Sequence, residues 1–288
     1  MWAIAINPTS GHGKGISIGE KVVQYFSSHE IDYQVFSASS AHELKSHLES
    51  FLSTAKCQGV ISVGGDGLAH LILQLTVPRH IPFAVMPAGT GNDIVRTFGW
   101  SLDEIEGYLD RVTEVPAQPI DLGNVDGEWF AAILSTGFDS VVNERANALS
   151  WPKGPQRYNV AIALELPKFK PLKYEITLDT HSFQTEAMLI AIGNGRSYGG
   201  GMYVCPQAQM HDGLFDIMVL EPVSKVEFLK VFPKVYSGTH IKHPKVKMYR
   251  SARVTLVADA VAYADGERIG TAPISAECVR DAGLTWAL

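Results

Sequence analysis

The sequence predicts an α/β domain built on a parallel sheet, followed from about residue 120 by a second, mostly antiparallel β domain. Three observations carry that expectation. Strand-like apolar runs alternate with helix-period segments from Trp2 to Met86, the pattern of βαβ units. Two glycine turns, Gly64-Gly65-Asp66-Gly67 and Pro87-Ala88-Gly89-Thr90-Gly91-Asn92-Asp93, close successive apolar runs, where open parallel sheets bind their ligands. Beyond Pro119 short strands replace the alternation.

Trp2–Ile6 is the first strand, with Asn7-Pro8-Thr9-Ser10-Gly11-His12-Gly13-Lys14-Gly15 as the loop after it. Ile18, Val22, Val23 and Phe26 fall on one face of a helix over Ile16–His29. Tyr33–Phe36 is the second strand, and Leu44, Leu48 and Phe51 point inward from a helix over Ala41–Thr54. Gly59–Val63, a helix over Leu68–Leu75 and the strand Phe83–Met86 complete the alternation. A helix over Leu102–Asp110 and a linker with two prolines, Thr113–Pro119, end a first domain of residues 1–119. The second domain, 120–288, takes strands at Ile120–Val125, Trp129–Ser135, Tyr174–Leu178, Ala187–Ile192, Phe215–Leu220, Val246–Tyr249, Val254–Val257 and Ile274–Val279. Helical pieces interrupt them at Val141–Leu149, Tyr158–Leu166 and Lys225–Tyr236.

Composition narrows the function classes. With 288 residues, 46% hydrophobic and 19% charged, the chain can fill real cores and does not resemble a disordered one. A formal charge of −6 gives no reason to expect a nucleic-acid partner. Between Lys225 and Arg253, however, eight Lys and Arg face one acid, Glu227. That stretch is either a solvated basic face or a contact with anionic lipid head groups. Cys57, Cys205 and Cys278 are far apart and form no CxxC pair, so neither a zinc site nor a disulfide framework is expected. Met1 runs directly into a strand, and no apolar run approaches the ~18 residues of a membrane span. The expectation is a cytoplasmic protein whose membrane contact, if any, is peripheral.

The glycine turns point to phosphate. Glycines after a strand let backbone N–H groups wrap an anion, and three around one aspartate are costly in chain entropy for a mere turn. The first loop is neither a dinucleotide fingerprint nor a Walker A loop, because Lys14 is followed by Gly15 and the second strand ends at Phe36-Ser37 without an acid. Asp93 also suits a helix N-cap, and Asp265-Gly266, read alone, is a hairpin turn.

Taken together, Asn7-Pro8-Thr9-Ser10-Gly11, the Gly64–Gly67 turn and Pro87–Asp93 resemble the three nucleotide-binding motifs of the diacylglycerol kinase catalytic-domain family. The likeness continues through Asp121-Leu-Gly123, Thr136-Gly137-Phe138, Gly193-Asn194-Gly195, Gly199-Gly200-Gly201, Asp212-Gly213-Leu214-Phe215-Asp216, Gly238-Thr239-His240 and Asp265-Gly266-Glu267, covering nearly the whole chain. The resemblance implies an α/β nucleotide domain of the NAD-kinase/diacylglycerol-kinase kind, a C-terminal β-sandwich lipid domain, and an active site between them. It implies an ATP-dependent kinase that phosphorylates the hydroxyl of diacylglycerol or a related lipid, with Mg²⁺ as cofactor. Asn7, Ser10, Gly11, Ser37, Gly64, Gly65, Asp66, Gly67, Gly89, Thr90, Asn92 and Glu267 inherit nucleotide-binding roles. Asp66, Asp93 and Asp121 inherit the catalytic Mg²⁺, and Asp265 the role of general base. The Asp212 carboxylate with the carbonyls of Gln209 and Leu214 inherits a structural Mg²⁺ loop.

The sequence departs from the family pattern at Leu68, His70 and Leu71, where polar residues are usual, and at Ala264, where many members have Leu. Those changes leave the acceptor open. NAD kinases share the Gly-Gly-Asp-Gly turn and carry an Asn-Glu pair, matched here by Asn143-Glu144 on an expected helix. A catalytically silent lipid or nucleotide sensor is the third reading. Oligomeric state is not legible, a homodimer being one option.

Overall fold

A computed structural model describes residues 1–38, 40–151 and 156–287. The chain forms two compact units, Met1–Leu122 with Arg280–Leu288, and Gly123–Val279. The segment Arg280–Leu288 therefore belongs with the first unit, whereas the sequence placed it in the second domain. Its anchors are specific: Thr285 Oγ1 donates to Phe83 O at 2.7 Å, and Trp286 Nε1 to Val115 O at 2.7 Å.

In the first unit the elements run β1 (Trp2–Ile6), α1 (Lys14–Ser28), β2 (Tyr33–Phe36), α2 (Ala41–Thr54), β3 (Val60–Gly64), α3 (Asp66–Thr76), β4 (Phe83–Pro87), α4 (Asp93–Thr97) and α5 (Ile105–Glu114). The four strands form a parallel sheet in the order β2-β1-β3-β4, with Ile4 opposite Ile61 and Val63 opposite Met86. β3 and β4 are buried along their whole length, as a sheet covered on both faces requires. Ile4, Ile61, Val63 and Met86 pack with Ile18, Val22 and Phe26 of α1 and Tyr108, Leu109 and Val112 of α5. Ser40 caps α2 by accepting the Glu43 N–H at 3.2 Å. α5 extends past the expected end into the linker, because Val112 continues its buried face.

β5 (Gln118–Val125) leads from the first unit into the second. There follow β6 (Glu128–Phe130), β7 (Ile133–Gly137), α6 (Phe138–Ala148), α7 (Gln156–Glu165), β8 (Leu172–Leu178), β9 (Ser182–Ala187), β10 (Leu189–Gly193), β11 (Phe215–Leu220), α8 (Lys225–Val231), β12 (Val246–Ser251), β13 (Arg253–Val257), β14 (Val261–Ala264), β15 (Glu267–Thr271) and β16 (Ile274–Thr285). Two six-stranded sheets result, ordered β12-β11-β10-β7-β14-β15 and β6-β5-β16-β13-β8-β9. Leu134, Ile190, Ile192 and Ile217 of one share a core with Tyr174, Ile176, Val254 and Leu256 of the other, which makes a sandwich.

Three expected elements break or change form in the structure. The strand expected over Trp129–Ser135 breaks at Ala131-Ala132, so that β6 and β7 lie in different sheets. The run Ala187–Ile192 breaks the same way at Met188, whose N–H donates to Leu220 O at 2.7 Å. The helix expected over Lys225–Tyr236 gives way at Phe232–Ser237 to a three-ten turn, where Pro233 lacks the N–H an α-helix needs.

Candidate functional site

The turns that close β1, β3 and β4 meet through main chain. A Cβ on Gly89 would stand 2.4 Å from Gly65 Cα, and one on Gly11 would stand 2.3 Å from Ala88 O. Gly11 also has φ 55, which a side chain would oppose. Ser10 joins the group, with Oγ 3.7 Å from the position of a Gly65 Cβ. Side chains are thus excluded where three backbones converge. The helices that leave two of these turns, α1 and α3, have no side-chain cap. Their first N–H groups and dipoles favour an anion at this end of the sheet.

Polar side chains shape the turns. Asn92, in the left-handed region at φ 53, brackets one glycine: its Oδ1 accepts Gly89 N–H at 2.8 Å and its Nδ2 donates to Gly89 O at 3.0 Å. Asn7 Oδ1 accepts from Thr9 N at 3.1 Å and Thr9 Oγ1 at 2.9 Å. Asn7 and Asn92, both expected at the nucleotide, also shape the loops they stand on. Asp66 Oδ1 accepts Ile94 N–H at 3.1 Å, which sets Asp66 against the first turn of α4, where Asp93 sits buried. Asp121 is buried on β5 and accepts Asp281 N–H at 3.0 Å. Thr90 and Gly67 are exposed at the turns, as is Ser37 just beyond β2. Leu68 and His70 are buried in α3, where Leu68 packs so close to the turn that a Cβ on Gly64 would stand 2.8 Å from its Cδ2.

In the second unit Asp265 occupies the tip of the β14–β15 hairpin, where both Asp265 (φ 51) and Gly266 (φ 89) take positive φ, as a two-residue type I′ turn demands. Its carboxylate is nine-tenths buried and turns inward. Oδ2 accepts Ala131 N–H at 2.8 Å, and Oδ1 accepts Ala132 N–H at 2.8 Å and Ile133 N–H at 3.3 Å. These are the amides that leave the ladder between β6 and β7. The carbonyls of the same residues go to the Gly193-Asn194-Gly195 motif: Asn194 Nδ2 donates to Ala131 O at 2.9 Å, and Gly195 N–H to Ala132 O at 2.8 Å. Glu267, across the turn, opens β15 and is exposed.

Glu144 is a residue whose role here sequence reasoning missed. Its Oε1 accepts from Tyr263 OH and from Arg268 Nε, each at 2.8 Å, and so clamps both arms of the hairpin to α6. The Arg268 bond, then the Tyr263 bond, holds its carboxyl below the usual range. Asn143-Glu144 had drawn attention as a possible NAD-kinase signature, but no local signal announces a clamp to residues so distant in sequence. Beside it opens a cleft of about 460 Å³, lined by Val141, Phe169, Leu172, Ala260 and Val261, with Lys168 and Lys170 among its polar residues. At the start of α6 the two carboxylate oxygens of Asp139 are buried without a hydrogen-bond partner among the described residues. Burial pushes its carboxyl up to about 6, tempered by the neighbouring Ser135 and Ser140.

Asp212, where a structural cation was expected, has a guanidinium beside it. Its Oδ2 pairs with Arg250, whose Nε also reaches Asp216 Oδ2 at 3.6 Å, while Oδ1 accepts Leu214 N–H at 3.0 Å. Gln209, whose carbonyl was expected to join Asp212, is exposed. Among the described residues no three His, Cys, Asp or Glu gather as a metal site.

Comparison with known proteins agrees with both units. Residues 1–125 match the family described as diacylglycerol kinase catalytic domain, and residues 132–283 the YegS C-terminal NAD kinase beta sandwich-like domain. A diacylglycerol kinase of Mycobacterium tuberculosis (strain H37Rv) is 34% identical over 91% of this chain and 86% of its own length. One from Bacillus subtilis (strain 168) is 28% identical over 87% and 84%. A crystal structure of a diacylglycerol kinase from Bacillus anthracis strain Sterne superposes with TM-score 0.74 at 18% identity, over 99% of this chain and 96% of that one, a likeness of fold.

Two outcomes follow from the buried carboxylates. Asp265→Asn leaves one acceptor where two serve three donors, so urea unfolding should show a loss of about 1–3 kcal/mol; an unchanged midpoint would contradict the cage. Asp139, with its pKa raised in the folded state, stabilises most below the unfolded pKa, and that contribution falls as pH rises through about 6. Asp139→Asn should therefore gain about 2 kcal/mol relative to wild type between pH 4 and pH 7.5. Melting curves that stay parallel across that range would refute the burial argument.

Proposed function

This chain belongs to the diacylglycerol kinase family, and we propose that it transfers the γ-phosphoryl group of ATP to a hydroxyl of diacylglycerol or a related lipid. The observation that carries this is the main-chain meeting of the Ser10-Gly11, Gly64-Gly65 and Ala88-Gly89 turns. Convergent backbone N–H groups at uncapped helix starts suit a polyphosphate, and glycine lets the chain approach it closely. Ser10, Gly11, Gly64, Gly65, Gly67, Gly89 and Thr90 are the contacts proposed for the nucleotide, with Ser37 at the adjacent strand end.

Phosphoryl transfer needs positioning, charge neutralisation and an acceptor for the hydroxyl proton. The acceptor oxygen bonds to the γ-phosphorus as the bond to the β-phosphate oxygen breaks, and ADP leaves. Asp265, whose carboxylate the Ala131, Ala132 and Ile133 N–H groups hold in place, takes the hydroxyl proton. Glu144 holds the hairpin that presents it. Mg²⁺, when bound, would neutralise phosphate charge. It commonly uses one or two carboxylates plus phosphate oxygens, so Asp66 and Asp93, at one corner of the first unit, fit it better than a preformed cluster would require. Asp121 is the third carboxylate proposed for it.

The apolar cleft beside α6 is proposed for an acyl chain of the acceptor, whose burial is worth about 0.8 kcal/mol per CH₂. The product would be phosphatidic acid or its equivalent.

The direct assay supplies γ-labelled ATP and Mg²⁺ with diacylglycerol in mixed micelles, or with NAD. Label should appear in phosphatidic acid; label on NAD, or on neither acceptor, would overturn the proposal. Gly89→Ala should weaken ATP binding at least about tenfold by calorimetry, about 1.4 kcal/mol, because the added methyl meets Gly65 backbone. Unchanged affinity would remove the convergent turns from the nucleotide site.

A further inference from the structure

We propose that the outward face of α8, with the turn after it, docks on an anionic lipid bilayer. α8 is apolar on two sides: Phe228 and Val231 are buried, while Val226 and Leu229 are 63% and 55% exposed. Apolar side chains on both the inner and the outer side of a helix call for an apolar neighbour on each. Tyr236, 54% exposed, extends the patch from the three-ten turn. Tyr203, 42% exposed, joins it because its N–H donates to Val235 O at 3.0 Å. Contiguous exposed apolar residues of this kind mark a contact surface.

Charge selects the partner. Lys230, Lys234 and Lys242 are exposed on this stretch and have no carboxylate partner among the described residues. By contrast Lys245 pairs with Glu221, Arg250 with Asp212, and Arg253 with Glu277. The lone acid of the stretch, Glu227, lies 3.2 Å from His243 Nε2. The eight cations of the sequence therefore reduce to a few lysines interleaved with apolar side chains. Lysine stems lie along apolar surface while their ammonium groups reach anionic head groups, which suits a bilayer interface.

The inner face of α8 connects this surface with the cleft. Phe228 packs edge-on against Phe138 with centroids 5.0 Å apart, and Phe138 against Phe169 at 5.3 Å. Phe169 lines the cleft, and its carbonyl accepts from Lys225 Nζ. The purpose of the docking face, delivery of a bilayer lipid to that cleft, rests on the lipid-acceptor reading; the docking itself does not.

Sedimentation with phosphatidylcholine vesicles, with and without phosphatidylglycerol, tests it on the full chain. Wild type should bind the anionic vesicles and be released as salt rises. Val226→Ser with Leu229→Ser should weaken partitioning at least about tenfold. Lys230→Glu with Lys234→Glu should do so by at least about tenfold and flatten the salt dependence. Both variants should keep the wild-type melting temperature. The proposal is overturned if wild type ignores both vesicles, or if folded variants bind as wild type does. It also fails if Trp151→Ser, a change at the 79%-exposed Trp151 outside this patch, alone abolishes binding, or if the patch variants only turn a dimer into a monomer on a sizing column. Sedimentation needs no turnover, so a failed kinase assay with intact vesicle binding would sink the function and leave this face standing.

Discussion

The carboxylate of Asp265 ties the tip of the β14–β15 hairpin to the point where the chain crosses between the two sheets of the second unit. Where the chain leaves one sheet for the other, at Ala131-Ala132, three N–H groups lose their ladder partners and find Asp265. Buried amides left unpaired would cost about 1–3 kcal/mol each, so the crossing depends on an acceptor that arrives from far along the chain. Asn194 and Gly195 answer for the carbonyls. The same bonds fix the tip of the β14–β15 hairpin, and Glu144 fixes its arms. The carboxylate proposed as proton acceptor is thereby held at a defined place by main chain.

The first unit solves its problem by removing side chains. Gly11, Gly65 and Gly89 allow three strand-end turns to touch, and Asn92 holds one of them from both ends of a single peptide. Asp66 ties α3 to α4. The result is three touching turns, two uncapped helix starts and two carboxylates at one end of a buried parallel sheet.

Much of this was legible in the sequence because it is local. Four strands, their intervening helices and both glycine turns follow from periodicity and from residues that only turns require. The Asp265-Gly266 hairpin was equally plain. What could not be read depends on distant partners. The runs over Trp129–Ser135 and Ala187–Ile192 are apolar throughout, and nothing in such a run marks the residue at which it changes sheets. The amides at that first break meet a carboxylate more than a hundred positions away. The return of Trp286 to the first unit, the Glu144 clamp and the claim of Arg250 on Asp212 are likewise long-range. Asn7 and Asn92 show the converse: motif residues that also shape the loops they stand on.

The central claim is that Asp265 carries the crossing between the sheets. Amide hydrogen exchange at Ala131, Ala132 and Ile133, compared between wild type and Asp265→Ala, measures it directly. The account predicts that these three amides exchange at least about tenfold faster in the variant while those of β3 and β4 keep their protection. Equal protection of the three amides in both proteins would contradict it.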